Sequence, residues 1–104
     1  MSKDELLVSA KNAVLQLEPG ARVVLYGSRA RGDATSDSDW DFLVLLDGQV
    51  DNSRVGRIRT RLYDIELESD QIISSVILDE QEWEHTPFNA SPFHERVSAK
   101  GVTL

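Results

Sequence analysis

Apolar residues recur at intervals of three and four in two stretches of the chain, which is the helical period. The first stretch predicts a helix over residues 4–17, with Ser2 placed to cap it and Pro19-Gly20 placed to end it. The second predicts a helix over residues 53–66. Each helix therefore has one face suited to covering a sheet. The apolar positions are Leu6, Leu7, Ala10, Ala13, Val14 and Leu17 in the first helix and Val55, Ile58, Leu62 and Ile65 in the second.

Three further stretches are short and apolar, and they predict strands over residues 22–26, 40–46 and 71–78. The middle stretch is too continuously apolar for an exposed edge, so we expect it to be a central strand. Asp79-Glu80 should then open a turn or a short helix that ends near residues 83–84, and a last short helix should lie near residues 91–99. This pattern predicts an α/β (α+β) fold in which helices cover a small mixed sheet of three to four strands.

The composition is that of an ordinary globular chain, with 104 residues of which 40% are hydrophobic and 28% are charged. We therefore expect residues 1–104 to form a single domain with one modest core. No apolar run approaches membrane-spanning length and the first residues are polar, so we expect a cytoplasmic location and no membrane partner. There is no cysteine, which excludes disulfides and thiolate metal sites. His85 and His94 have no triad partner, so each histidine is interpreted as a surface or packing residue.

The formal net charge of −7 weighs against a nucleic-acid polymer as substrate, because binding a phosphate backbone depends on Lys and Arg. A small nucleotide does not need a basic face. Four arginines cluster in the second predicted helix, where a solvated helix face is the plainer interpretation and a nucleotide or partner site is the alternative. They are Arg54, Arg57, Arg59 and Arg61.

The segment Gly27-Ser28-Arg29-Ala30-Arg31-Gly32 directly follows the first predicted strand. Gly27 allows a positive φ and a close ligand approach, and Ser28 offers a hydroxyl where a helix starts. These features suit the binding of phosphate oxygens. Arg29 or Arg31 could contact a triphosphate there, although Arg31 is equally placed to pair with Asp33 or Asp37 and so to shape the loop.

Asp39 and Asp41 stand two residues apart where the second predicted strand begins. Side chains at positions i and i+2 of a strand point to the same face, so the two carboxylates should converge. Two converging carboxylates repel each other unless a cation lies between them, and Mg²⁺ favours carboxylate and phosphate oxygens. Trp40 points to the opposite face, where we expect it to pack in the core and not to stack on a base.

Three other interpretations fit these residues less well. The glycine spacing fits a P-loop, but Asp33-Ala34 stands where the lysine and hydroxyl residue belong. A calcium loop beginning at Asp37 would need glycine at its sixth position and glutamate at its twelfth, where this chain has Phe42 and Gly48. Ordinary solvated turns would explain either motif alone, but not both motifs beside buried strands.

The Gly27-Ser28 turn followed by Asp39 and Asp41 resembles the signature of the DNA polymerase beta-like nucleotidyltransferase superfamily. The version found here, with Arg29 and Arg31 in the turn, is similar to that of the minimal nucleotidyltransferase (MNT) branch. The resemblance is close over residues 20–47 and extends to the rest of the chain only in general layout.

The resemblance implies a Mg²⁺-dependent enzyme that moves a nucleotidyl group to a hydroxyl acceptor, with AMP from ATP as the expected donor reaction and another NTP as the alternative substrate. It implies that Asp39 and Asp41 are catalytic and bind two metal ions, and that Gly27, Ser28, Arg29 and Arg31 bind the nucleotide. Small MNT proteins commonly act with a HEPN partner as antitoxin to toxin, and some adenylylate that partner. A HEPN-type protein is therefore the partner that the resemblance implies.

The third predicted strand departs from the family pattern. Fully equipped members carry a third acidic residue on that strand, whereas this chain has Ser74 and Ser75 there. The nearest preceding carboxylates, on Glu66, Glu68 and Asp70, read more plainly as the polar end of the second helix. Two hypotheses remain open: an active transferase, or a nucleotide-binding module that works by docking on a partner protein.

Overall fold

The computed structural model describes residues 1–104 and contains five α-helices, four strands and a short 3₁₀ turn at Phe88–Ala90. No helix in it combines the length and the apolar character needed to cross a membrane. The elements in chain order are α1 (Lys3–Leu17), β1 (Arg22–Tyr26), α2 (Ser28–Arg31), β2 (Trp40–Leu46), α3 (Asn52–Ser69), β3 (Ile73–Asp79), α4 (Glu80–Glu84), α5 (Pro92–Lys100) and β4 (Val102–Thr103).

The strands form one open sheet in the order β3-β2-β1-β4. β1 pairs antiparallel with β2 and with β4, whereas β2 and β3 run parallel and are joined by the crossover helix α3. The expected α/β fold with a small mixed sheet and covering helices is confirmed, and β2 is central as its continuous apolar sequence predicts.

Helices cover both faces of the sheet, and the alternation along β2 divides the core in two. Phe42, Val44 and Leu46 face α1 and α3, where the larger apolar cluster lies. Leu43 and Leu45 face the other side, where Trp83 of α4 and Val97 of α5 complete a smaller cluster. Since side chains alternate along a strand, Asp41 shares the α4 and α5 side with Leu43 and Leu45.

The ends of the two long helices follow from local capping. Ser2 and Glu5 form a capping box at the start of α1, with the Glu5 amide donating to Ser2 Oγ at 3.1 Å and the Ser2 amide donating to Glu5 Oε1 at 3.0 Å. Asp51 accepts from the Arg54 amide at 2.8 Å and caps α3. Asp70, with φ of 57°, ends α3 later than expected, so that helix includes residues 67–69 as well.

One arginine of α3 is a structural residue and is not part of a solvated face. Arg54 makes a two-pronged ion pair with Glu18, with Nη2 to Oε1 at 2.7 Å and Nε to Oε2 at 3.0 Å, and both side chains are only 17% exposed. Arg54 also donates to the carbonyls of Asp47 at 2.9 Å and Gln49 at 2.7 Å. The hydrogen bonds from Arg54 lower the pKa of the Glu18 carboxyl below its ordinary value. Arg54 thus ties the end of α1 to the loop between β2 and α3.

Replacing Arg54 by methionine should lower the free energy of unfolding by about 2 kcal/mol, because it leaves a carboxylate and two carbonyls without their donor. Arg57→Met is the matched control, since Arg57 is exposed and bonds only Ser53 Oγ, at 2.8 Å; its effect should stay within about 0.5 kcal/mol. Urea unfolding of both variants measures the difference. Equal stability of the two variants would contradict the structural role of Arg54.

Candidate active site

The Gly27-Ser28 turn joins β1 to α2 and needs glycine for two reasons. Gly27 has φ of 75° and ψ of −158°, a conformation that residues with a Cβ rarely adopt. A Cβ at this position would also overlap the carboxylate of Asp41. The Gly27 carbonyl accepts the amides of Ala30 and Arg31, each at 3.1 Å, which starts α2 immediately after the turn. The turn therefore lies directly against the predicted metal-binding carboxylate.

Strand pairing places Asp41 beside this turn. Asp41 is in register with Tyr26 on β1, the residue that precedes Gly27, and with Ser74 on β3. Asp39 lies two residues before Asp41, just ahead of β2. The sequence-predicted residues Gly27, Asp39 and Asp41 are therefore brought to one end of the sheet.

The two aspartates lack protein partners. Neither carboxylate accepts a hydrogen bond or forms a salt bridge with any protein group, although Asp41 is partly buried. Burial raises the pKa of the Asp41 carboxyl above its ordinary value, the nearby charge of Asp39 raises it further, and Arg31 opposes both. A pair of uncompensated carboxylates with free lone pairs is suited to binding a cation.

The donor set fits Mg²⁺ that is shared with substrate phosphates, and it does not form a complete protein cage. No group of three or more Asp, Glu, His or Cys side chains is placed to hold a metal ion. Ser74 occupies the position beside Asp41 on β3, where it can offer a hydroxyl but no charge. Mg²⁺ typically takes one or two carboxylates and completes its shell with phosphate and water, which is what Asp39 and Asp41 allow.

None of the three carboxylates that precede β3 joins the aspartate pair. Glu66 Oε1 accepts the Ile73 amide at 2.6 Å and so holds the start of β3. Asp70 ends α3 in a left-handed conformation, and Glu68 is exposed on that helix. Their interpretation as the polar end of α3 is confirmed.

Arg29 has protein partners on the other side of the sheet. Its guanidinium lies 4.4 Å from the centre of the Trp40 ring, and its Nη2 donates to the Ser38 carbonyl at 2.9 Å. Trp40 is only 3% exposed and donates its Nε1–H to Gln71 Oε1 at 3.2 Å, so its predicted place in the core is confirmed. Arg29 thus fastens the loop that leads to Asp39.

Arg31 lies on the aspartate side and pairs with Asp33, with Nε to Oδ2 at 3.3 Å, one of the two pairings that the sequence left open. This pair is exposed at both ends and is therefore weak, so a polyanionic ligand could compete for the guanidinium. Nucleotide binding by Arg31 therefore stays a prediction, whereas the bonds of Arg29 suit a positioning role.

Sequence reasoning missed two contributors to the site, Tyr26 and α5. Tyr26 points to the same face as Asp41, and its ring packs edge-to-face on Phe93 of α5 with centroids 5.2 Å apart. Burial raises the pKa of the Tyr26 hydroxyl, and the charge of Asp41 raises it further. The signal in the sequence is the position of Tyr26 directly before Gly27, but its importance emerges only from the antiparallel register.

The histidines have the packing and surface roles expected of them. His94 stacks on Trp83 with ring centroids 4.3 Å apart, and its Nδ1 lies 3.3 Å from Ser98 Oγ. His85 is exposed, and its Nδ1 lies 2.6 Å from the Gln81 carbonyl.

A mixed sheet that sets a glycine-serine turn against paired aspartates defines the polymerase beta-like nucleotidyltransferase class. Residues 7–96 match the family model for the nucleotidyltransferase domain, and the chain belongs to that family. The fold is similar to that of a toxin–antitoxin crystallised with AMP-PNP, with a TM-score of 0.61 and 17% identity over 98% of this chain and 72% of the other. No curated protein matches the chain.

Gly27→Ala should destabilise the protein by about 2 kcal/mol, because alanine strains the positive φ and its Cβ meets Asp41. Gly56→Ala, in an open position within α3, is the matched control and should stabilise by about 0.5–1 kcal/mol. Thermal and urea unfolding check both values. Similar changes in the two variants would contradict the close approach of turn and carboxylate.

Asp41→Asn should raise the melting temperature of the protein in metal-free buffer. The raised pKa means that the folded state disfavours ionised Asp41; this penalty is absent below the ordinary carboxyl pKa and complete above the raised one. The stability advantage of the variant over the wild type should therefore grow as the pH rises from the ordinary carboxyl pKa, about 4, and level off above the raised pKa of Asp41. Calorimetry in EDTA measures the gap, and a gap that narrows over this range would contradict the assignment.

Proposed function

We propose that this nucleotidyltransferase transfers AMP from ATP, with Mg²⁺, to a hydroxyl on a partner protein. The observation that carries the proposal is the contact between the Gly27 turn and the unpartnered carboxylate of Asp41, with Asp39 beside it. A phosphate-binding turn and a cation-binding pair at one point are what phosphoryl chemistry requires, since the protein's part is to position groups and neutralise charge.

Each residue has a separable task in this proposal. Asp39 and Asp41 would hold Mg²⁺, and Gly27 and Ser28 would contact the β- and γ-phosphates. Two bound Mg²⁺ ions would neutralise the charge that develops on the attacking and leaving oxygens. The acceptor oxygen attacks the α-phosphorus, the bond to the bridging oxygen breaks, and pyrophosphate leaves with that oxygen while the acceptor proton passes to solvent. No residue forms a covalent intermediate.

The strand order gives the reaction a direction across the sheet. In-line displacement puts the attacking and leaving oxygens on opposite sides of the phosphorus. The Gly27 turn lies on the β1 side of Asp41, so pyrophosphate leaves toward β1 and the acceptor approaches from the β3 side. β3 is an edge strand, and Ser74 leaves that side open. A bulky acceptor such as a folded protein can reach the site there.

A toxin-type partner is part of the same proposal. The similar fold described above belongs to a toxin–antitoxin with AMP-PNP, and we extend that combination of nucleotide and protein partner to this chain. The HEPN-type acceptor is implied by the resemblance of the Gly27-Ser28 and Asp39-x-Asp41 motifs to MNT proteins. An antitoxin would then act by modifying its toxin.

Incubation with Mg²⁺, labelled ATP and a HEPN-type protein encoded by an adjacent gene tests the proposal. The wild type should label the partner, and Asp39→Asn/Asp41→Asn should lower labelling by about 10²- to 10³-fold. Asp37→Asn is the matched control, because Asp37 lies exposed in the same loop without a side-chain bond. Absence of label with every nucleotide would overturn the transfer reaction.

The alternative function is a nucleotide-binding module that acts by docking. Ser74 at the position beside Asp41 favours it, since a hydroxyl cannot lend charge to a metal or take a proton as a carboxylate can. The two functions differ in one result. Mg²⁺-dependent ATP binding without transfer supports the docking module, whereas transfer excludes it.

Ser74→Asp should increase the rate of labelling by about tenfold or more, because a carboxylate beside Asp41 adds a general base and a metal ligand. Ser75→Asp is the control, since Ser75 points to the other face of the sheet, where its Oγ lies 3.4 Å from Arg59 Nε. Initial rates of labelling compare the two variants. A rate for Ser74→Asp at or below that of Ser75→Asp would contradict the place given to Ser74.

A further inference from the structure

Helix α5 carries two cations without protein partners. Arg96 and Lys100 are four residues apart, so they project from the same face of the helix. Both are exposed, and neither forms a hydrogen bond or a salt bridge. Every other arginine bonds a protein group through its side chain, which makes Arg96 the one arginine left free for a ligand.

These cations line a cavity next to the Gly27 turn. The cavity has a volume of about 400 Å³ and lies between α5 and the end of β1. Tyr26 and Gly27 form one wall together with Arg31, and α5 forms the other, with Glu95 as the acidic residue on it. The lining thus holds three cations and one carboxylate, an excess of positive charge in a chain whose net charge is −7.

The position of α5 is fixed by packing. Val97 is buried in the smaller apolar cluster, and Phe93 packs edge-to-face on both Tyr26 and Trp83. Gly101 follows the helix in close contact with Val24 and Val97, and β4 then pairs with β1. The two cations are therefore held on a rigid support, which limits the ordering cost of binding an anion.

We propose that Arg96 and Lys100, together with Arg31, form a polyphosphate subsite that binds the β- and γ-phosphates of the nucleotide. The inference rests on the proposed function, which directs pyrophosphate toward β1, and α5 covers that side. An ammonium and two guanidinium groups suit a polyanion with several oxygens. The subsite makes the protein select nucleoside triphosphates over monophosphates.

Calorimetric titration with Mg²⁺-ATP, AMP and inorganic tripolyphosphate tests the subsite. Arg96→Gln/Lys100→Gln should weaken ATP and tripolyphosphate binding by about 10- to 100-fold, because it removes charged hydrogen bonds to phosphate. AMP binding should change by less than about twofold, and the loss for ATP should shrink at high salt. Lys3→Gln/Lys11→Gln removes the same charge from α1, and it should bind all three probes like the wild type.

The outcomes separate this inference from the proposed function. One outcome is that the wild type binds ATP, Asp39→Asn/Asp41→Asn does not, and Arg96→Gln/Lys100→Gln binds ATP as well as Lys3→Gln/Lys11→Gln does. In that case the subsite is wrong and the active site stands. An equal loss of ATP and AMP affinity in Arg96→Gln/Lys100→Gln also overturns the subsite. If the wild type binds no nucleotide, the proposed function fails with it. Thermal unfolding of both doubles confirms that each is folded.

Discussion

The site depends on one close approach, that of the Asp41 carboxylate to the backbone of Gly27. The antiparallel register of β1 and β2 sets this approach by opposing Tyr26 to Asp41. A shift of one residue would turn Asp41 toward α1 and α3 and bring Phe42 to the side of the sheet that α4 and α5 cover. Phe42 is buried in the larger apolar cluster and Leu43 in the smaller one, so a shift would remove both from their clusters. The core therefore fixes the position of Asp41 relative to Gly27.

Much of this arrangement follows from the sequence. The helical period of residues 4–17 and the unbroken apolar run of residues 40–46 predict α1 and the central β2 because each pattern is long and regular. The prediction that Gly27 and Asp41 belong to one site rests on the resemblance of their motifs to a known family and not on periodicity. A turn glycine and a strand aspartate carry no local sign that they touch.

Other features depend on contacts between distant residues and could not be read from the chain. Arg54 belongs to a cluster of arginines whose sequence pattern is typical of a solvated helix face. Its partner Glu18 lies 36 residues earlier in the chain, and only the fold brings the two together. β4 is two residues long, too short to have a period, yet its pairing with β1 helps hold α5 over the site. The position of Ser74 beside Asp41 likewise follows from the parallel register of β2 and β3, which no local pattern in the sequence shows.

The loop of residues 33–39 has little regular structure, yet Arg29 bonds its Ser38 carbonyl while stacking on Trp40. This bracket restricts the backbone before any ligand arrives. The conformational entropy that ordering Asp39 would cost is therefore lost during folding and not during the proposed binding of a metal ion. Weakening the contacts of Arg29 would leave the proposed metal-binding carboxylates in place. It would still lower the affinity for a metal ion, because the loop would sample more conformations before binding.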